Sequence, residues 1–168
     1  MLKENIEKIL NEQVEKEGYS SNLYLAMASW AEVKGYNGIA KWLYAQSDEE
    51  RMHMLKVIEY INERGGHAII PEFKKPGIEY GNIKDLFDAV LEHEQYITAS
   101  INEIVGLTLD EKDFNTHSWV QWFVTEQIEE ESSVQDILDK LALVGDKNLY
   151  MFDRDIMSMR DEASEGEE

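Results

Sequence analysis

A glutamate and a histidine stand three residues apart in the segment SDEERMHMLK, at Glu50 and His53. Residues with this spacing lie one turn apart on the same side of an α-helix, so a carboxylate and an imidazole can reach one metal ion. The spacing alone is a weak signal. Both residues also suit a solvated helix surface, and a single inward-facing histidine is more often hydrogen-bonded than bound to metal. The rest of the chain must decide between these interpretations.

Composition limits the chemistry that such a pair can take part in. The chain has 168 residues and no cysteine, which excludes disulfides, iron–sulfur clusters and thiolate zinc sites and leaves oxygen and nitrogen ligands. The formal net charge of −19 argues against a nucleic-acid partner, whose phosphates would be repelled. There is no long apolar run to suggest a membrane span, and the start MLKENIEKIL is unlike a signal peptide. We therefore expect a cytoplasmic protein without a membrane partner.

Glycine, proline and polar turns divide the chain into helices. Segments rich in Ala, Leu, Glu, Lys and Met predict four long helices, at roughly 4–34, 38–64, 82–110 and 114–144, and a short fifth at about 147–161. Both prolines lie between the second and third helices, in a predicted connection of about 16 residues. This order is typical of an all-α four-helix bundle with one long crossover. We expect residues 1–162 to form the bundle with its fifth helix, and 163–168 an acidic disordered tail.

Each long helix carries one glutamate in the middle of a mostly apolar line. Steps of three and four residues trace the lines that face the bundle interior, and they pass through Glu17, Glu50, Glu94 and Glu130, with His53 after Glu50. Counting from the turns near residues 36 and 112 places these side chains at similar heights. No lysine or arginine lies on the lines, so the buried carboxylates must be protonated or hold cations. Two divalent ions would balance the negative charge of the four carboxylates. Oxygen ligands with one nitrogen favour iron(II) or manganese over zinc.

This constellation resembles the bacterial non-haem ferritins of the ferritin superfamily. The matching segments, one in each long helix, are NEQVEKEGYSSNLYLAMASW, SDEERMHMLKVIEYINERGG, LEHEQ and FVTEQIEEESSVQDILDKL. The resemblance covers nearly the whole chain. It implies an iron-storage protein with ferroxidase activity, which oxidises Fe(II) with O2 or H2O2 at a di-iron site inside each subunit. It also implies a homo-oligomer, a hollow cage of twenty-four subunits that stores Fe(III) mineral.

The resemblance assigns a role to each candidate ligand. One iron is held by Glu17, Glu50 and His53. The second is held by Glu94, Glu130 and a bridging Glu50. The fourth helix offers no histidine to this second position, so we expect the second iron to be held more loosely and its oxidised product to be passed onward.

Further residues around the centre also match the family. Gln127 lies near the second iron, and Tyr24 matches a tyrosine that donates an electron or hydrogen-bonds a ligand. No haem is expected, because Met52 lies off the inner line. The resemblance implies a third iron site, for which a solvated acidic helix face is the alternative; its residues are Glu49, Glu126, Glu129 and Glu130.

Three other functions fit parts of the pattern. A peroxidase or oxidase of the rubrerythrin type would also use a di-metal bundle, but the chain lacks the cysteines of a rubredoxin module. A non-catalytic acidic bundle would serve as a binding or assembly module. A Dps-like DNA protector would place its metals between subunits, which leaves the carboxylates within the chain unexplained.

Overall fold

Five helices make up most of the chain. A computed structural model describes residues 2–145 and 148–164, with side chains described up to Arg160. The helices are α1 (Glu4–Val33), α2 (Asn37–Glu63), α3 (Ile83–Asp110), α4 (Phe114–Val144) and α5 (Leu149–Ser164). No strand occurs within these residues. The predicted all-α fold is confirmed. Helix α5 extends to Ser164, into the first two residues of the proposed tail 163–168. The rest of the tail stays a prediction, since residues 165–168 lie outside the described part of the chain.

Local capping explains where α3 and α4 begin. The Asn82 side chain accepts a hydrogen bond from the Asp85 backbone N–H at 2.9 Å, and the Asp85 carboxylate accepts one from the Asn82 N–H at 3.3 Å. This reciprocal pair satisfies two amides that a helix start leaves without partners. Asp113 similarly accepts from the Thr116 N–H at 3.2 Å at the start of α4. At the other end of α4, Gly145 adopts a φ of 62°, which favours glycine and ends the helix.

The four long helices pair in a fixed direction. The connections at 34–36 and 111–113 are short, so α1 with α2 and α3 with α4 run antiparallel. The helices α2 and α4 are also antiparallel, because Gln46 bonds to Glu130 whereas Tyr60, further along α2, bonds to Thr116, earlier in α4. It follows that α2 and α3 run parallel. A parallel pair of this length needs a connection that spans the bundle.

That connection, residues 64–82, follows α1 from end to end. The Ile69 N–H donates to the side-chain oxygen of Asn11 at 2.7 Å, and the Trp30 indole N–H donates to Glu79 at 3.2 Å. Midway, the ring of Phe73 lies directly over Gly18, where a Cβ atom would overlap it. The crossover is therefore packed onto the bundle by specific contacts.

A buried polar layer divides the apolar core into two clusters. One cluster contains Phe87 and Ile137, and the other contains Leu10, Ile97 and Phe123. All of these side chains are at most 2% exposed. Each long helix contributes polar residues that lie between the two clusters. Together these residues form a layer across the middle of the bundle.

Helix α5 packs against α2 and α4 near the start of α2. Phe152 and Ile156 are buried beneath it. The Asp153 carboxylate accepts a hydrogen bond from the Ile39 N–H at 2.9 Å, which caps α2 from outside that helix. Gly38 allows this approach, because a Cβ there would overlap the Asp153 carbonyl oxygen. Across the described residues, no helix is long and apolar enough to cross a membrane.

Candidate metal centre

The polar layer gathers the predicted ligands from all four long helices. The five side chains are between 0 and 6% exposed; they are Glu17, Glu50, His53, Glu94 and Glu130. Each lies on the inward line of its helix. Burial of this many carboxylates is costly unless protons or cations compensate their charge.

Glu17, Glu50 and His53 form the tightest group. They offer ligand atoms that all lie within 4.8 Å of one another, and Glu50 Oε2 is 3.5 Å from His53 Nδ1. Glu17 Oε2 and Glu50 Oε2 are buried and have no hydrogen-bond partner among the described residues. Unpaired carboxylate oxygens in a dry site are unfavourable, and a divalent cation would satisfy both. The donor set therefore fits a metal ion.

Neutral amides orient two of the carboxylates. Gln13 donates its Nε2–H to Glu17 Oε1 at 2.7 Å, and Ser100 holds the Gln13 oxygen at 2.9 Å. Gln46 donates to Glu130 Oε2 at 2.6 Å. Hydrogen bonds of this kind fix a carboxylate without neutralising it, as the outer shell of a metal site does. Gln13 and Gln46, which interrupt the apolar lines of α1 and α2, thus orient the carboxylates of Glu17 and Glu130.

Glu94 is held by two side chains from other helices. The Tyr24 hydroxyl donates to Glu94 Oε1, and Gln127 donates its Nε2–H to Glu94 Oε2 at 3.2 Å. Gln127 also bonds to the Glu94 backbone carbonyl at 3.2 Å. In this arrangement the amide nitrogen of Gln127 faces the carboxylate, so Gln127 orients Glu94. Tyr24 is fully buried and anchors the same carboxylate from α1.

Burial and mutual repulsion raise the pKa values of carboxylates in the centre. Burial, reinforced by the charges of Glu94 and Glu17, raises the pKa of Glu50 well above its usual value. Burial likewise raises the pKa of Glu94 to about 7, although its bonds from Tyr24 and Gln127 oppose the rise. The pKa of Glu130 is raised well above its ordinary value, first by burial and then by the charge of Glu94. Without cations, the layer therefore holds protons near neutral pH.

Two aromatic rings of α4 pack against His53. The ring of Trp122 meets the imidazole edge-on with centroids 5.4 Å apart, and Phe123 does so at 5.9 Å. Lys56 places its ammonium 4.0 Å from the Trp122 ring centre, so this lysine of SDEERMHMLK packs against the ring. Phe123 lies on the inward line of α4, whereas nothing in the sequence indicated the contact with Trp122.

A second group of ligand atoms lies beside the first, at the wall of an open cavity of about 560 Å³. Its members lie within 4.8 Å of one another; they are Glu49, His53, Glu126 and Glu130. Glu129, the remaining residue of the predicted third site, lines the same cavity but is not part of this group. The half-buried Glu49 accepts a hydrogen bond from Arg160 of α5. This basic residue is outside the four apolar lines, which is why the sequence did not connect it with the centre.

His93 is a further residue that sequence reasoning missed. It stands in the quoted segment LEHEQ, and its Nε2 lies 2.7 Å from Ser20 Oγ. Its ring meets that of Tyr24 edge-on at 6.0 Å. Burial lowers the pKa of His93 to about 4, so the imidazole is neutral at physiological pH. His93 packs behind Tyr24 and supports its position.

Comparison with known proteins agrees with the fold and the residue pattern. The sequence profile of the ferritin-like domain matches residues 7–144. A probable bacterial non-heme ferritin-like protein of Haemophilus influenzae is 43% identical over 97% of this chain and all of its own length. A bacterial non-heme ferritin of Campylobacter jejuni is 40% identical over 95% of this chain and 96% of its own.

Solved structures give the same result. The open-pore ferritin of the archaeon Archaeoglobus fulgidus superposes with a TM-score of 0.91 at 37% sequence identity. The match covers 93% of this chain and 98% of that one. Profile, near-full-length identity and superposition agree, and the chain belongs to the ferritin family of iron-storage proteins.

Proposed function

We propose that this ferritin is a ferroxidase that oxidises Fe(II) at a di-iron site within each subunit. The observation that carries the proposal is the pair of buried, unpartnered oxygens on Glu17 and Glu50, which face the same space as His53. A carboxylate pair with one imidazole is a suitable ligand set for Fe(II). Iron is the substrate here, and the protein supplies a fixed arrangement of negative charge that stabilises the Fe(III) product.

The second iron would be held by Glu94 and Glu130, with Glu50 bridging. Tyr24 and Gln127 both donate to Glu94, so this carboxylate is oriented before metal arrives. The second position has no imidazole, and it therefore offers only oxygen ligands. We infer that it binds iron more weakly than the first and releases Fe(III) more readily toward the cavity beside Glu130.

The reaction balances with O2 or H2O2 as the oxidant. Two Fe(II) ions give up two electrons, which together with two protons convert O2 to H2O2, or H2O2 to two waters. Fe(III) then passes to the interior of a cage of twenty-four subunits, by way of a third iron position at Glu49, Glu126, Glu129 and Glu130. The convergence of three of these side chains, together with His53, supports that position.

The test is a kinetic comparison of variants. Glu50→Gln and His53→Ala each remove a ligand of the first iron, and we expect both to abolish rapid Fe(II) oxidation in stopped-flow absorbance measurements. Glu59→Gln is a matched control, because Glu59 is exposed on the same helix. Unchanged oxidation kinetics in both site variants would refute the assignment.

Assembly needs a separate measurement. Twenty-four chains of 19.5 kDa give a particle of about 470 kDa, which size-exclusion chromatography with light scattering distinguishes from small oligomers. All the variants should elute as the wild type does. A monomer or dimer would contradict the cage.

A further inference from the structure

Helix α5 is held in a defined position beside α2. The Asp153 carboxylate accepts from the Ile39 N–H at 2.9 Å, and Gly38 allows the two backbones to meet. Phe152 and Ile156 bury the apolar side of α5 at the same place. These contacts fix the direction in which α5 leaves the start of α2 and therefore fix what its later residues can reach.

Arg160 lies seven residues after Asp153, about two helical turns further along the same side of α5. Its Nη1–H donates to Gln46 Oε1 at 2.7 Å, and its Nη2–H donates to Glu49 Oε2. The side chains of Arg160 and Glu49 are 25% and 26% exposed, so the pair is partly shielded from water. Such a pair is stronger than a fully exposed ion pair.

Arg160 is also linked to the buried polar layer, through the side chain of Gln46. A guanidinium can only donate hydrogen bonds, so the Gln46 oxygen must face Arg160 and its amide N–H is presented to Glu130. Arg160 thus contacts one carboxylate of the outer group directly and reaches a second through one amide. Both Glu49 and Glu130 belong to the group whose ligand atoms converge beside the cavity.

We propose that Arg160 is a built-in competitor for the outer cation position, which holds the Glu49 carboxylate until a divalent ion displaces it. The inference rests on the proposed function, since it concerns the third iron position of that site. A guanidinium bound to Glu49 uses an oxygen that the ion needs, and its positive charge repels the ion. The outer position therefore binds metal more weakly than its carboxylates alone would, which favours transit of the ion over retention.

The experiment is a calorimetric titration of the metal-free, assembled full-length protein with Zn²⁺, a redox-inert probe. In Arg160→Gln we expect the third ion per subunit to bind about tenfold more tightly than in the wild type, the usual effect of losing one charge-assisted hydrogen bond. The first ion, whose ligands Glu17, Glu50 and His53 are not contacted by Arg160, should keep its affinity within about twofold. Arg160→Lys retains the positive charge, so its affinity for the third ion should be close to the weak affinity of the wild type.

Lys140→Gln provides the matched control. Lys140 lines the same cavity, so this variant removes one positive charge from the cavity wall and leaves the Arg160–Glu49 pair intact. We expect its third-ion affinity to remain close to that of the wild type. Equal tightening in Lys140→Gln and Arg160→Gln would overturn the proposal, because it would show a general charge effect.

Two outcomes separate this inference from the proposed function. If two ions bind tightly but the third has unchanged or weaker affinity in Arg160→Gln, the competitor role of Arg160 is wrong while the di-iron site stands. If the wild type binds no tight pair at all, the proposed di-iron site fails, and the competitor role fails with it. Circular dichroism and size-exclusion chromatography confirm that each variant is folded and assembled.

Discussion

Metal binding at the buried layer should release protons. With a pKa of about 7, Glu94 is half protonated near pH 7. Burial also raises the pKa of Glu50 and of Glu130 well above the ordinary carboxyl value, which favours their protonated forms. Two divalent ions that require all of these carboxylates in ionised form should therefore displace at least about half a proton per subunit near pH 7, the share of Glu94 alone.

The number of protons is measured by titrating Zn²⁺ into metal-free protein in buffers of different ionisation enthalpy. The slope of the observed enthalpy against the buffer enthalpy gives the protons released. We expect at least about half a proton near pH 7, and about half a proton more near pH 5.5, where Glu94 is fully protonated. Because protons compete with the ions, protonation of Glu94 alone should weaken binding of the pair about fivefold as the pH falls from 7 to 6.

Glu50→Gln is the informative variant for this experiment. The amide carries no titratable proton, so proton release near pH 7 should be lower than in the wild type. A wild-type value close to zero would refute the reasoning, because it would mean that the buried carboxylates are already ionised in the absence of metal. Absence of Zn²⁺ binding would refute the site itself.

Three further predictions concern stability. The raised pKa of Glu94 means that the metal-free fold loses up to about 3 kcal/mol as pH rises from 4.5 through about 7, so its thermal midpoint should fall over that range and fall less in Glu94→Gln. Asp153→Ala removes the cap on α2 and should cost about 1 kcal/mol with faster proteolysis of α5, whereas Asp153→Asn keeps the acceptor and should resemble the wild type. Phe87→Ala, at a fully buried position, should cost about 3–5 kcal/mol in chemical denaturation, whereas Ile128→Ala, at a side chain 67% exposed, should cost less than about 0.5.

The helices and the inner face of each were predictable from sequence because both depend on local order. Apolar residues repeat every three or four positions, and turn residues interrupt them at 34–36 and 111–113. Once helix length and connection order are known, equal counts from a shared turn give equal heights. That is why Glu17, Glu50, Glu94 and Glu130 could be assigned to one layer before any contact was known.

The hydrogen-bond partners of those carboxylates could not be predicted from the sequence in this way. Gln13 and Gln46 lie on the inner lines of α1 and α2, but only the structure shows each amide nitrogen directed at a glutamate oxygen. The two unpaired oxygens on Glu17 and Glu50 also appear only in three dimensions. Hydrogen-bond direction depends on side-chain rotamers, and these are set by packing between helices.

The sequence by itself therefore determined the bundle, its crossover and the level of the buried polar layer, since helical periodicity and chain length specify them. Only the tertiary structure decided how Arg160 of α5 meets Glu49 of α2, 111 residues away. That contact depends on the angle at which α5 packs, which Asp153, Gly38 and the buried side of α5 set together. An angle between helices follows from the shapes of the surfaces in contact, and no spacing within one helix encodes it.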